Sequence, residues 1–151
     1  MSTPFTNVFD MFLTLIDDYR LITLFQVSPE NFTTYLTGWL IPSIDDFKSV
    51  CDQDLSYNLT TKYFTNTLTS ENISVLTKIM KKYWMNRLVD DVSQIQAKIQ
   101  TDFSTYSEAQ NYKTKQDRYI EMKEEVSIIL NQYSYDKDST WDALMSIING
   151  G

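Results

Sequence analysis

Between residues 70 and 100 the sequence carries one uninterrupted helical pattern. Its apolar residues recur mostly at three- and four-residue steps, as Ile73, Leu76, Met80, Trp84, Leu88, Ile95 and Ile99. This spacing predicts a single α-helix, capped by Thr69 or Ser70 and roughly 45 Å long at 1.5 Å per residue. Its charged residues are interpreted as a mostly solvated face with some ion pairing: Lys78, Lys81, Lys82, Arg87, Asp90 and Asp91.

A second long helix is predicted after the short link "QTDFSTY". It runs from Ser107, interpreted as the N-cap, to about Tyr133. Its first turns are nearly free of aliphatic residues, whereas its later turns carry Ile120, Val126, Ile129 and Leu130. Paired antiparallel, the two helices form an αα-hairpin. The early turns bury little by themselves and are expected to need a partner.

The N-terminal third of the chain predicts two further helices. The first covers about residues 5 to 20, and "LITLFQV" after it could be a short extended or a 3₁₀ stretch. The second covers about residues 29 to 50, with Ser28 as cap and Pro29 at the first helical position. Pro42 lies four residues after Gly38, so a bend is expected there.

Two segments depart from the long helices. Residues 51–68 lose helical periodicity, and they are interpreted either as a solvated loop or as an interaction arm, such as a short hairpin or a strand lent to a neighbouring subunit. Near the end of the chain Ser139 can cap a short helix that is marginal alone and must dock on something. The sequence thus predicts an all-α helical bundle built on a long αα-hairpin, with a domain over residues 1–135 and a docking tail over 136–151.

Candidate chemistry is nearly absent from the sequence. There is no histidine, which removes the Ser-His-Asp and Cys-His nucleophile systems and the commonest metal ligand. Adjacent carboxylates such as Asp45 and Asp46 diverge by about 100° on a helix. Asp52 and Asp54 lack the Gly and Glu of a calcium loop. We therefore predict a protein that is not an enzyme and uses no cofactor or metal.

Charge and cysteine content indicate the setting. The net charge of −7 disfavours unaided binding to nucleic acid, because Lys and Arg supply most of that affinity. The single cysteine, Cys51, cannot form an internal disulfide, and the N-terminus lacks the basic region of a signal peptide. No run of about 18 uncharged apolar residues predicts a membrane span. A cytosol-like compartment is expected.

Four segments resemble one known family. They are "TPFTNVFDMFLTLIDDYRL", "FTTYLTGWLIPSIDDF", "TLTSENISVLTKIMKKYWM" and "DFSTYSEAQNYKTKQDRY". In order and spacing they resemble small phage neck proteins of the head–tail connector or adaptor type, found in long-tailed phages and prophages. The similarity covers most of residues 4 to 135, and the segment 51–68 and the last residues match least.

The resemblance implies an all-α adaptor that forms a ring between the portal and the stopper or tail protein. The ring would match the portal as a dodecamer and line the DNA passage in the virion neck, after synthesis in the host cytoplasm. Its negative charge would let DNA slide without tight binding. We predict subunit contacts through Tyr112, Lys115, Arg118, Tyr119, Tyr57, Tyr63 and Phe64. We predict docking on the portal or a neighbour through Trp141, Leu144, Met145 and Ile148.

An alternative of another class also fits the composition. A soluble, acidic, helical regulator or inhibitor encoded by a phage could bind a host protein, for instance by imitating the charge of DNA. Such an inhibitor needs its carboxylates on one surface, whereas here Asp and Glu are scattered along the sequence. Presence in purified virions would separate the two classes.

Overall fold

The protein folds as a helical bundle with one very short hairpin. The computed structural model describes residues 1–99, 105–137 and 145–150, with side chains in 1–91, 110–137 and 145–150. The elements are α1 (Phe5–Thr14), α2 (Tyr19–Val27), α3 (Pro29–Phe47), β1 (Tyr57–Asn58), β2 (Tyr63–Phe64), α4 (Ser70–Ile99) and α5 (Thr105–Lys137). Residues 145–149 are also helical. The prediction of an all-α bundle is confirmed.

Helices α4 and α5 form the predicted antiparallel hairpin. Lys137 at the end of α5 lies beside Glu71 in the first turn of α4, with Nζ 3.0 Å from Oε2. Helices α1 and α3 pack on α4 as well, so α4 is the central helix. The middle of its apolar stripe is fully buried, because three other helices cover it: Leu76, Ile79 and Met80.

The starts of the two long helices differ in how well the sequence predicts them. Thr69 caps α4, since its hydroxyl accepts a hydrogen bond from the backbone N–H of Asn72 at 3.2 Å. Helix α5 begins at Thr105, so Ser107 lies inside it and its prediction as N-cap was wrong. Serine is tolerated in a first helical turn, and its presence alone does not fix where a helix begins. The helix also continues past Tyr133 to Lys137, beyond the expected domain boundary at residue 135.

The N-terminal helices divide differently from the prediction. Helix α1 ends at Thr14, and a new helix starts at Tyr19, so a continuous helix to residue 20 was wrong. The carboxylate of Asp18 accepts a hydrogen bond from the backbone N–H of Arg20 at 3.0 Å and thereby caps α2. The segment "LITLFQV" is therefore α-helical, neither extended nor 3₁₀.

Helix α3 is close to its prediction and ends three residues early. Its start has Pro29 at the first position and the Ser28 hydroxyl accepting from the Asn31 N–H at 3.5 Å. Pro42 lies inside the helix, four residues after Gly38. The helix ends at Phe47, and the following residues form turns in which the Cys51 N–H donates to the Phe47 carbonyl oxygen at 3.0 Å.

The segment 51–68 contains a hairpin fastened to the N-terminus of its own chain. Strands β1 and β2 pair antiparallel, with Tyr57 opposite Phe64. The other edge of β2 is taken by residues 3–5: the Phe64 N–H donates to the Thr3 carbonyl at 2.8 Å, and the Phe5 N–H donates to the Lys62 carbonyl at 2.9 Å. The structure thus contains the short hairpin that the sequence offered as one form of this segment, and a contact with a neighbouring subunit stays a prediction. Because both edges of β2 are engaged within the chain, this strand is not presented to a neighbour.

Candidate interaction surfaces

Helix α2 exposes an unusual amount of apolar surface for a short helix. Only Leu21 is buried, whereas Tyr19 is 83% exposed, Phe25 is 56% exposed, and Ile22 and Val27 are exposed as well. Contiguous large apolar side chains in water are rare on monomeric proteins and mark sites of interaction. The outer face of α2 is therefore the first candidate surface.

A groove runs between the end of α1 and α2, and we call it the acidic groove. It encloses about 360 Å³. Among its three carboxylates, Asp18 is engaged by the indole Nε1 of Trp84 at 2.9 Å. Asp10 and Asp17 have no side-chain hydrogen bond or ion pair within the described part of the chain. Its remaining lining is apolar: Leu13, Ile16, Leu21, Ile22, Phe25 and Phe32.

A second groove, which we call the lysine groove, lies where the end of α1 meets α4 and α5. It encloses about 370 Å³ and carries Lys78, Lys81 and Glu125. Counting only residues that the structure describes, neither lysine has a carboxylate within ion-pair distance. Its apolar lining includes the exposed Ile128: Leu15, Met122, Val126, Ile128 and Ile129. The two grooves share no residue and differ in the sign of their free charges.

Charged side chains join α2 to α4 and also α3 to α4. Arg20 places its Nη1 3.0 Å from Oδ2 of Asp91 in α4. The guanidinium of Arg87 lies over the ring of Tyr35, 4.1 Å from its centroid, and donates to the Tyr35 hydroxyl. These contacts surround a cavity of about 240 Å³ between α2, α3 and α4. Of these contacts, the ion pair of Arg20 with Asp91 is the one that links α2 to α4.

A second polar contact joins α3 to α4. The Asp46 carboxylate accepts from Lys82 Nζ at 2.6 Å and from the Tyr83 hydroxyl at 2.8 Å. Burial, together with the charge of Asp46, raises the pKa of Tyr83. The phenol thus stays protonated at neutral pH and serves as a hydrogen-bond donor between the helices.

At the other end of the bundle a polar cluster joins three segments of the chain. The Tyr133 hydroxyl donates to Asp52 and lies 2.7 Å from Oδ1 of Asn72, while Asn72 Nδ2 donates to Asp52 Oδ1 at 3.0 Å. Lys137 Nζ lies 3.3 Å from Asp52 Oδ2. The hydrogen bonds from Tyr133 and Asn72 lower the pKa of Asp52 to about 2. We call this group the polar cluster.

The polar cluster joins segments of the chain and contains no activated nucleophile. Burial raises the pKa of Tyr133, and burial also raises the pKa of the neighbouring Cys51 thiol. Both groups therefore stay protonated at neutral pH, and a thiol in that state is a poor nucleophile. In the described ranges no group of three or more Cys, Asp and Glu side chains could hold a metal ion.

The predicted interface residues of the hairpin differ in how much of each side chain is exposed. Tyr57 is half-buried, with its ring edge against Phe5 at a centroid distance of 5.9 Å, and Tyr63 is exposed. Phe64 has no exposed surface and packs in the core of its own chain, 5.1 Å from the Phe5 ring. Phe64 is thus corrected to a core residue, because side chains on adjacent strand positions point to opposite faces.

The predicted interface residues of α5 come together on one stretch of the helix. Tyr112, Lys115 and Tyr119 follow a three- and four-residue spacing and are all half-buried, and Tyr119 packs against the core. Arg118 is exposed and pairs with Glu121, with Nη1 2.7 Å from Oε2. Their contact with another subunit stays a prediction.

The predicted docking residues at the C-terminus are only partly described. Trp141 and Leu144 lie outside the described residues. Met145 and Ile148 lie in the helical residues 145–149, and both are exposed. Their docking on a portal or neighbour stays a prediction.

Neither the α2 surface nor the two grooves could be predicted from the sequence. The segment "LITLFQV" is mostly apolar, so its composition does not indicate which of its residues are exposed. One local signal was present: Asp18 precedes Tyr19 and Arg20 as an N-cap would. The grooves themselves depend on how α1, α4 and α5 meet, which no local pattern encodes.

No helix in the described ranges is both long and apolar enough to cross a bilayer. Comparison with protein-family models, curated proteins and solved structures finds no match to this chain. The resemblance to phage neck proteins consequently stays a prediction that depends on the quoted segments.

Proposed function

We propose that the protein is a structural head–tail connector that assembles as a ring between a phage portal and the stopper or tail protein. The observation that carries this proposal is the exposed apolar face of α2, together with two separate grooves of opposite charge. A closed ring of identical subunits needs two different complementary surfaces on each copy. This chain has candidates for both.

The distribution of carboxylates favours the connector over a regulator that imitates DNA. Such a regulator needs free carboxylates on one surface, since it competes for the cations that bind phosphate. Here Asp91, Asp46 and Asp52 are engaged by Arg20, Lys82 and Lys137 of the same chain. Because these three carboxylates are paired within the chain, they support the packing of its own segments and are not free to bind the cations of a partner.

The net charge of −7 supports the part of the proposal that concerns DNA. A negative ring repels phosphates, so a duplex can pass through it without being retained. If the ring lines the passage, neutralising the carboxylates that face its lumen alters DNA retention or ejection in assembled particles. Unchanged retention and ejection would contradict this role.

The connector proposal is tested by mixing the purified protein with the portal protein from the same genome and imaging the mixture by electron microscopy. We expect extra ring density at one end of the portal. Free portals beside monomers of this protein would contradict the proposal and favour the regulator. Detection of the protein in purified virions provides an independent check.

A truncation tests the predicted docking tail in the same assay. Removing the residues from Trp141 onward takes away all four predicted docking residues, and we expect the ring density to be lost. The matched control removes only Gly150 and Gly151 and should retain the ring. Circular dichroism of both truncated proteins shows whether the bundle stays folded, which separates loss of docking from loss of fold.

A further inference from the structure

We propose that α2 of one copy docks into the lysine groove of the next copy, with Asp10 and Asp17 facing Lys78 and Lys81. The inference rests on the proposed function, since it names the contact that would close the ring. The occupant of the lysine groove is thus a second copy of this chain. The same contact repeats from copy to copy in one direction.

The apolar face of α2 and the apolar wall of the lysine groove can pack together. On α2, Tyr19, Ile22 and Phe25 are exposed and make an apolar ridge, of which Ile22 and Phe25 also form one wall of the acidic groove. The lysine groove is concave, and its apolar wall includes the exposed Ile128 and Leu15. Placing the ridge in the groove removes both apolar surfaces from water, which is the main driving force for association.

The charges determine which surfaces can meet. Asp10 and Asp17 line the acidic groove beside α2, and Lys78 and Lys81 line the lysine groove; all four lack ion-pair partners in the residues described here. Glu125 also lines the lysine groove, so the groove carries two lysines against one carboxylate. A two-fold contact of α2 with α2 would bring Asp10 and Asp17 near their own copies. Charge repulsion disfavours that arrangement, and the opposite charges favour a head-to-tail contact.

One copy can use both surfaces at the same time. The linings of the two grooves have no residue in common, although the end of α1 contributes to both. Leu13 and Ile16 face the acidic groove, whereas Leu15 faces the lysine groove. Each copy then inserts its α2 face into one neighbour and receives the α2 face of the other neighbour in its lysine groove. A contact of this kind extends into a chain or closes into a ring.

Cross-linking between engineered cysteines tests the direction of the contact. Phe25→Cys and Ile128→Cys are combined in a Cys51→Ser background, and the concentrated protein is treated with a bismaleimide. We expect a ladder of dimers, trimers and larger species. Either cysteine alone should give no ladder, and a mixture of the two single-cysteine proteins should stop at dimers. Dimers from Phe25→Cys alone would instead indicate a two-fold contact and overturn the proposal.

Charge reversal provides the second arm of the test. Lys78→Glu with Lys81→Glu should reduce the cross-linked fraction at least about tenfold. Adding Asp10→Lys and Asp17→Lys to the same chain should restore it, because the charges are then exchanged. Absence of a ladder, or a ladder unaffected by the reversal, overturns the inference. Sedimentation velocity of the wild-type chain and the reversal variants gives the same comparison without any cysteine change.

The outcomes separate this inference from the proposed function. Ring density on the portal without a ladder would leave the connector standing and reject the α2 contact. A charge-dependent ladder without portal binding would establish the contact and reject the connector. The portal-binding assay and the cross-linking experiment therefore test the two proposals separately.

Discussion

The hydroxyl of Tyr133 in α5 donates a hydrogen bond to the carboxylate of Asp52, which lies 81 residues earlier in the chain, just after α3. The same hydroxyl lies 2.7 Å from Oδ1 of Asn72 in the first turn of α4. One buried phenol thus joins three segments that are distant in sequence. Because Tyr133 is only 4% exposed, water cannot replace the hydrogen bond to Asp52 if the hydroxyl is removed.

Tyr133→Phe is expected to lower the free energy of unfolding by about 1.5–3 kcal/mol. The substitution keeps the ring against Phe47 but removes the donor to a charged carboxylate and leaves Asn72 without that partner. Urea unfolding followed by circular dichroism measures the change. Tyr63→Phe is the matched control: its ring is exposed, and we expect a change within about 0.5 kcal/mol. Equal effects of the two substitutions would contradict a structural role of the polar cluster.

The lowered pKa of Asp52 makes stability depend on pH. Its pKa is about 2 in the folded protein, against an ordinary 3.8, so folding favours the deprotonated carboxylate. The resulting stabilisation is fully present above pH 3.8 and is lost as the pH falls from 3.8 through about 2. The side chain is 36% exposed, so solvent screening makes the effect smaller than the full shift implies.

Asp52→Asn provides the measurement of this pH dependence. The difference in urea midpoint between the wild-type chain and this variant should be constant at neutral pH and shrink as the pH falls from 3.8 towards about 2. Asp117→Asn, which removes an exposed carboxylate on α5, serves as control and should leave the midpoint at pH 7 nearly unchanged. A difference that stays constant throughout the acid range would show that Asp52 does not act through its charge.

Particular residues show what the sequence could and could not predict. The stripe through Leu76 and Met80 predicts α4 correctly because burial on one side of a long helix imposes a period on the sequence. The polar cluster left no such trace, since Asp52 and Tyr133 meet only after three helices pack. Phe64 was assigned to the surface because a strand of two residues is too short for alternation to show which side is inside.

The α2 surface could not be predicted for a related reason. Its apolar residues include both the buried Leu21 and the exposed Ile22 and Phe25, so apolar character alone does not indicate which of them face the core. Large apolar residues on an exposed face are typical of surfaces that contact other molecules. The residues of α2 whose exposure the sequence did not predict thus belong to the surface for which we propose a partner.

Gly38→Ala is expected to stabilise the protein by about 0.5–1 kcal/mol. A Cβ atom at Gly38 would meet no atom within 4 Å outside its own helical turn, so the alanine adds helix propensity without a clash. Thermal or urea unfolding measures the gain. Gly150→Ala is the contrasting variant, because its Cβ would lie 2.8 Å from the Ser146 carbonyl oxygen. A loss of stability in Gly38→Ala would indicate that the glycine is needed for the bend that Pro42 leads us to expect in α3.

Neighbouring residues of α2 separate folding from association. Leu21 is 4% exposed, so Leu21→Ala should lower the free energy of unfolding by about 2–5 kcal/mol. Ile22 is 52% exposed, and Ile22→Ala should change it by no more than about 0.5 kcal/mol. Urea unfolding at low protein concentration gives these values for the monomer.

Ile22→Ala also tests whether the outer face of α2 contacts a second copy or only water. If α2 contacts a second copy, Ile22→Ala should reduce cross-linking between Phe25→Cys and Ile128→Cys although the monomer keeps its stability. The reason is that the exposed half of Ile22 would contribute apolar area to the contact, whereas Leu21 lies in the core. An Ile22→Ala variant that matches the wild-type chain in both stability and cross-linking would show that the exposed residues of α2 face only water.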